Sequence, residues 1–128
     1  MPSQIRIILE HGEAVATLDD SLTANAIRAA LPLEGTVGRW GHEVYFTIPV
    51  AVMEAADARQ EMAVGELGYW PVGTAFCIFF GATPASMWHE PRAYSKVNPF
   101  GQLVGDPQAI KDLFAGALDG QRIQVTEA

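Results

Sequence analysis

Three histidines that stand beside or near a glutamate are the first residues in this sequence that could do chemistry, as in His42-Glu43 and His89-Glu90. An imidazole and a carboxylate together can bind a metal ion or move a proton. Adjacent residues of a strand point to opposite faces, however, so these pairs do not form a chelate by themselves. The His-X-His strand pattern of metal-binding barrels is also missing. We therefore expect no metal site and no bound cofactor.

Sequence patterns for nucleophilic catalysis and phosphate binding are missing as well. No serine lies in a Gly-x-Ser-x-Gly elbow, and no glycine-rich segment has the spacing of a phosphate-binding loop. Cys77, the single cysteine, lies in the apolar run Phe76–Phe80, which predicts a small buried side chain. One cysteine also excludes an internal disulfide and a zinc site built from several thiolates.

Aromatic residues cluster around the two longest irregular stretches of the chain. Tyr69 and Trp70 directly precede Pro71, and Trp88 lies in the segment 82–96, which has two prolines and no hydrophobic period. Large apolar side chains in irregular segments either line a pocket or cover a small secondary core. Both interpretations stay open from the residues alone.

The composition limits the classes of partner. The chain has 128 residues, 49% of them apolar, and a formal net charge of −7, which suits one folded domain over residues 1–128. Nucleic acids and anionic membranes attract basic surfaces, so we expect this acidic chain to bind neither. The first six residues lack the pattern of a signal peptide, and no apolar run approaches the roughly 18 residues that span a bilayer. These features predict a soluble, cytoplasmic protein.

Strands must position most of these residues. Alternation of apolar and polar residues with a period of two predicts strands in the segments 5–9, 14–18, 37–48, 97–104 and 123–125. Gly38 and Gly41 interrupt the third of these, as at a hairpin turn or a barrel corner. The segment Thr74–Phe80 is apolar on both faces, which predicts a strand covered on both sides. The segment 49–65 is compatible with a helical turn or with a surface loop.

Two amphipathic segments predict helices near residues 22–31 and 107–116. Ser21 and Asp106 are suitable N-cap residues, and Pro107 suits a first helical turn. Seven or eight short strands with two helices near the ends of the sequence favour a β-barrel or sandwich over a doubly wound parallel sheet.

Three blocks of the sequence resemble a small prokaryotic family of cyclophilin-like domains. They are Trp40–Phe46, Gly65–Ala85 with its Gly-Tyr-Trp-Pro motif, and Val97–Asp106. The order of helices and strands is also similar to that of cyclophilin. The resemblance covers nearly the whole chain, and it implies a mainly β fold: a closed eight-stranded β-barrel with two short helices covering its ends.

The resemblance also implies a substrate site on the outer face of the barrel. In cyclophilins an apolar pocket there takes the proline, and an arginine contacts the carbonyl of the twisting peptide bond. Aligned through the aromatic residues, the position of that arginine is Thr47, and aligned through Pro49 it is Phe46. Neither residue carries a guanidinium, although Arg39 or Arg59 could reach in from neighbouring segments. We therefore assign no catalytic residue.

The aromatic cluster and the resemblance together predict a ligand groove, with Met53 in the place of the pocket methionine of cyclophilins. The predicted groove residues are Phe46, Thr47, Met53, Tyr69, Trp70 and Trp88. Our main hypothesis is a non-catalytic or vestigial binder of a peptide or small apolar ligand. The alternatives are a weak peptidyl-prolyl cis-trans isomerase, or a metabolic subunit like those of carboxylase and amide-hydrolysing systems that use the same barrel. The sequence leaves the ligand and the oligomeric state open.

Overall fold

Strands dominate the computed structural model, which describes residues 3–128. In this part of the chain there are ten strands and two helices. The elements are, in order, β1 (Gln4–Leu9), β2 (Gly12–Leu18), α1 (Leu22–Ala30), β3 (Leu33–Thr36), β4 (Gly38–Arg39), β5 (Glu43–Thr47), β6 (Arg59–Glu61), β7 (Glu66–Trp70), β8 (Ala75–Phe79), β9 (Arg92–Leu103), α2 (Pro107–Ala115) and β10 (Arg122–Glu127). The prediction of a mainly β fold with two helices is confirmed.

The strands form one antiparallel sheet in the order β3-β10-β1-β2-β9-β7-β8-β5-β4, and β6 pairs with β9 outside this path. The predicted number of eight strands is therefore corrected to ten. Two very short strands account for the difference. β4 has two residues, and β6 has three residues that lie in the ambiguous segment 49–65.

The closed barrel that the resemblance implies is replaced by a sheet with two ends, β3 and β4. Within residues 3–128 no ladder of hydrogen bonds joins these strands. Val37, which separates them, instead donates to the carbonyl of Gln121 at 2.8 Å and accepts from the N–H of Gly120 at 2.9 Å. β3 nevertheless lies close to β5, the neighbour of β4, because a Cβ on Gly35 would lie 2.8 Å from the Phe46 ring.

Both predicted helices form, each one residue shorter than expected. The side chain of Ser21 accepts from the N–H of Ala24 at 3.1 Å, and Asp106 caps α2 in the same way. The helices bury their apolar faces in the main core through Ala24, Ile27, Ile110 and Phe114. None of the helices in the described chain is long and apolar enough to cross a membrane.

β8 is covered on both faces, as its sequence predicts. Phe76 and Ile78 point into the main core, whereas the alternate residues point to the outer face of the sheet. There they form a second apolar cluster, which consists of Met62, Ala75, Cys77, Phe79, Ala93 and Val97. This outer cluster is possible because β6 and the first half of β9 fold over the sheet.

The segment 82–96 is shorter as a loop than its sequence suggests, because β9 already begins at Arg92. Residues 92–97 pair with β6, where Arg92 lies opposite Glu61 and Val97 opposite Arg59. The guanidinium of Arg92 reinforces this pairing through an ion pair of 2.6 Å with Glu61. The first half of β9 is held by its pairing with a distant segment, and its own sequence shows no hydrophobic period.

Asn98 of β9 holds the long connection between β5 and β6 against the sheet. Its fully buried side chain accepts from the N–H of Ala55 at 2.8 Å. It also donates to the carbonyl of Met53 at 2.9 Å and to the hydroxyl of Thr23 in α1 at 3.1 Å. One amide thus satisfies polar groups of a loop and of a helix.

We expect Asn98→Ala to lower the free energy of unfolding by about 2–4 kcal/mol, because three polar groups lose their partner at once. Urea unfolding measures this change. Asn25→Ala is the matched control, since Asn25 is exposed on α1 and, among the described residues, its side chain bonds only Arg28. A loss for Asn98→Ala no greater than the loss for the control would contradict this role.

Candidate functional site

A pocket of about 210 Å³ lies on the outer face of the sheet, next to the outer apolar cluster. It is bounded by the turn before β5 and by residues of β5, β7, β8 and β9. Its walls are mainly aromatic, and two of its residues are buried polar or polarisable groups. The aromatic residues are Trp40, Tyr45, Trp70 and Tyr94, and the buried polar or polarisable residues are Glu43 and Cys77.

Strand alternation places the residues of β5 in this pocket. Val44 and Phe46 point into the main core, so Glu43 and Tyr45 point to the outer face. In the ladder between β5 and β8, Tyr45 lies opposite Cys77. The carboxyl, the phenol and the thiol are therefore neighbours on one face of two paired strands.

The turn between β4 and β5 couples Trp40 to Glu43. Their backbones exchange two hydrogen bonds, of 3.0 and 3.2 Å. Gly41 between them has φ +60°, and a Cβ there would lie 2.9 Å from the Cα of Thr83, so the turn requires glycine. The N–H of His42 bonds the carbonyl of Ala82 at 2.9 Å, which fixes the turn against the loop that follows β8.

Three aromatic rings form an ordered wall. Tyr94 packs edge to face against both Trp40 and Trp70, with ring centroids 6.0 Å apart in each pair. The indole N–H of Trp70 donates to the hydroxyl of Ser95 at 2.7 Å, which fixes the orientation of that ring. Tyr94 is 71% exposed, so it stands where the pocket meets solvent.

Glu43 supplies the carboxyl of the pocket. The residue is 6% exposed, and burial raises its pKa from an ordinary 4.5 to about 7. The thiol of Cys77 opposes this shift as a hydrogen-bond donor. Among the described residues no lysine or arginine lines the pocket. A carboxyl that titrates near neutral pH is thus available to a ligand as an acid, as a base or as an anion.

Cys77 is buried and unsuited to nucleophilic attack. Burial raises the pKa of its thiol well above the usual range, and the nearby Glu43 raises it further. A thiol that stays protonated is a weak nucleophile. This agrees with the sequence-based prediction of a small buried side chain at position 77. In the described chain, no three residues of His, Cys, Asp or Glu are grouped so as to hold a metal ion.

The six predicted groove residues do not lie together. Trp70 lines the pocket. Phe46 and Tyr69 belong to the main core, where the Phe46 ring packs against Phe76 at 5.2 Å. The hydroxyl of Tyr69 donates to the carbonyl of Val50 at 2.5 Å, so it is satisfied within the protein.

The other three predicted groove residues are exposed and do not line the pocket. They are Thr47, Met53 and Trp88. Trp88 lies in the loop 82–91, where its backbone N–H and that of Met87 donate to the carboxylate of Glu90. Of the two positions aligned with the cyclophilin arginine, only Thr47 thus faces away from the core.

The two arginines considered as replacements have other partners. Arg39 donates to the carbonyls of Ala115 and Ala117 at the end of α2, and its guanidinium lies 5.2 Å from the centroid of the Phe80 ring. Arg59 forms an ion pair with Glu66. Neither side chain lines the pocket.

Sequence reasoning missed Trp40, Glu43, Tyr45 and Tyr94. A signal existed for two of them, because the alternation that sends Val44 and Phe46 inward must send Glu43 and Tyr45 outward together. Glu43 was considered only as a partner of His42 for a metal ion. Tyr94 belongs to the aromatic cluster of the irregular segment 82–96, but its place in the pocket depends on the pairing of its strand with β6, which is distant in sequence.

Comparisons with known proteins agree with this architecture. The family model described as Cyclophilin-like matches residues 3–125. The chain belongs to the Cyclophilin-like family. A comparison with curated protein sequences gave no significant match.

Two solved structures share the fold of this cyclophilin-like chain. The hypothetical protein AF2241 from Archaeoglobus fulgidus, known from a solution structure, has 35% sequence identity and a TM-score of 0.80. The match covers 99% of this chain and 95% of that protein. McbB in complex with tryptophan has 16% identity and a TM-score of 0.70, over 96% of this chain and 44% of McbB. At that identity the likeness to McbB shows the fold alone.

The raised pKa of Glu43 predicts that stability depends on pH. Between pH 4.5 and 7 the folded state holds a proton that the unfolded state releases, so the free energy of unfolding falls as pH rises through this range. We expect a loss of up to about 3 kcal/mol. Urea unfolding at a series of pH values measures it, and Glu43→Gln should remove this part of the pH dependence.

Glu54→Gln is the control for this experiment, because Glu54 is exposed and lies outside the pocket. Its profile should run parallel to that of the wild type. If Glu43→Gln also runs parallel to the wild type, the carboxyl of Glu43 is not protonated by burial.

Proposed function

We propose that this cyclophilin-like protein binds a small, largely apolar ligand in the aromatic pocket around Glu43. The observation that carries this proposal is the concave site itself, with four aromatic side chains around one buried carboxyl. Ligand sites typically combine apolar walls with a few polar groups that orient the ligand. The rings of the wall are already packed against one another, so binding requires little reordering of side chains.

The volume of the pocket favours a small molecule over a peptide. An apolar cavity of about 150 Å³ can hold benzene. The 210 Å³ of this pocket therefore suit one aromatic ring with a short side chain.

A metabolic enzyme is the second candidate, and the state of Glu43 favours it. General acids and bases work best when their pKa lies near the working pH, and burial raises the pKa of Glu43 to about 7. A ligand in the pocket would lie beside this carboxyl. A proton transfer between the two is chemically reasonable, and binding remains its first step.

Prolyl isomerisation has the weakest support of the three hypotheses. The cyclophilin site needs a guanidinium over the twisting amide, and here the two aligned positions hold Phe46 in the core and Thr47. A threonine hydroxyl offers one neutral hydrogen bond, whereas a guanidinium offers several charge-assisted ones. Arg39 and Arg59 are engaged elsewhere.

We expect the wild type to be inactive as a prolyl isomerase. Loss of a charged donor at the transition state costs about two to three decades in rate. A protease-coupled assay on an Ala-Pro peptide should therefore give a kcat/KM below about 10⁴ M⁻¹s⁻¹. A kcat/KM above about 10⁴ M⁻¹s⁻¹, the low end of the usual enzyme range, would overturn this expectation.

Ligand binding can be located by NMR, because the chain has three tryptophans and only Trp40 and Trp70 line the pocket. On titration with 2-phenylethanol or phenethylamine, we expect the indole N–H signals of Trp40 and Trp70 to shift and that of Trp88 to stay. Tyr94→Ala should weaken binding at least about fivefold, since it removes a ring from the wall. Trp88→Ala is the control and should bind as the wild type does. The proposal fails if neither probe moves the signals of the two pocket tryptophans.

A further inference from the structure

We propose that the natural ligand is an arylalkylamine, a single aromatic ring on a short chain that ends in a protonated amine. In this arrangement the ammonium group binds the carboxylate of Glu43 and is flanked by the rings of Trp40, Trp70 and Tyr94. The inference rests on the proposed function of this pocket as a small-ligand site, and it names the chemical class of that ligand.

The first argument is the missing counter-charge. The carboxyl of Glu43 is buried and lies among aromatic and apolar side chains, with the Cys77 thiol as its hydrogen-bonding neighbour. A buried carboxylate without a cation is unfavourable, because a thiol is a weak hydrogen-bond donor and does not replace the water that the carboxylate has lost. In the described chain no basic side chain lines the pocket. A cationic ligand would supply the absent charge.

The second argument is the aromatic wall. The face of an indole or a phenol attracts a cation, with tryptophan the strongest of the aromatic side chains. Trp40, Trp70 and Tyr94 stand next to one another around the carboxyl, and Ser95 holds the indole of Trp70 in place. These rings suit the two parts of an arylalkylamine, since they can contact both an aromatic ring and an ammonium group.

The third argument separates amines from amino acids. An amino acid would bring its own carboxylate into a pocket that already holds Glu43 and has no lysine or arginine among its lining residues. Like charges in a site of low polarity repel each other strongly. The net charge of −7 also attracts a cationic amine over longer distances, whereas it exerts no net attraction on a zwitterionic amino acid. The amine without a carboxylate is therefore the better ligand.

Charged and titratable neighbours of Glu43 are few. In the pocket they are the phenols of Tyr45 and Tyr94 and the thiol of Cys77. Outside it, the guanidinium of Arg39 is held by carbonyls at the end of α2, and the ring of His42 stacks on Phe80. Among the described residues that line the pocket, no cation competes for the carboxyl, and affinity for an ammonium ligand should rise with pH as Glu43 ionises.

The experiment compares three probes on the full chain by isothermal titration calorimetry. The probes are phenethylamine, its uncharged analogue 2-phenylethanol, and phenylalanine. At pH 8 we expect the wild type to bind phenethylamine at least about tenfold more tightly than either of the others. This preference should shrink as pH falls from 8 to 5. Glu43→Gln should abolish it, and the matched control Glu54→Gln, an exposed glutamate, should retain it.

The outcomes distinguish the amine assignment from the proposed function of the pocket as a ligand site. If phenethylamine and 2-phenylethanol bind equally to the wild type, the pocket is a ligand site but the amine assignment is wrong. If the preference survives Glu43→Gln, the carboxylate does not hold the ammonium group. If neither probe binds, the proposed function fails as well. The pH series on the wild type tests the assignment even where Glu43→Gln does not fold.

Discussion

The burial of β8 on both faces is the constraint on which the rest of this structure depends. A strand that is apolar on both sides must be covered twice, since each exposed face would leave large apolar side chains in water. The main core covers one face through Phe76 and Ile78. β6 and the first half of β9 cover the other and bring Met62, Ala93 and Val97 onto it. The aromatic pocket lies at the edge of the surface that β6 and β9 cover, where the sheet becomes exposed to solvent.

The pocket contains a residue, Glu43, whose burial is unfavourable for folding. Glu43 occupies a strand position where an apolar residue would pack without loss of hydration, and burial raises its pKa to about 7. Residues that weaken folding and lie in a cleft are typical of functional sites. The neighbouring Cys77 does not compensate for this burial, because a protonated thiol donates only a weak hydrogen bond. This unfavourable burial is the reason why we propose a ligand site around Glu43.

Membership of the Cyclophilin-like family does not imply that a protein has the catalytic arginine of cyclophilins. The barrel-like sheet of this chain is shared, but the guanidinium that acts on a prolyl bond has no equivalent at Thr47, and Phe46 is part of the core. Arg39 shows how a basic residue can be conspicuous in the sequence and purely structural in the fold. It bonds carbonyls at the end of α2, where a cation also suits the negative end of the helix dipole.

Local patterns in the sequence determined the strand alternation, the two capped helices and the burial of Cys77, because each depends on neighbours a few residues away. The same patterns indicated the mainly β class, and the resemblance supplied the family. Only the tertiary structure decided that the sheet has two ends, that Phe46 and Tyr69 belong to the core, and that Trp88 lies apart from Trp70. It also decided which residues share the pocket. Trp40, Glu43, Trp70 and Tyr94 come from three separate segments, and they meet because the first half of β9, paired with β6, folds over the outer face of the sheet. Local periodicity does not report which distant segments pair, so this pairing could not be predicted from the sequence alone.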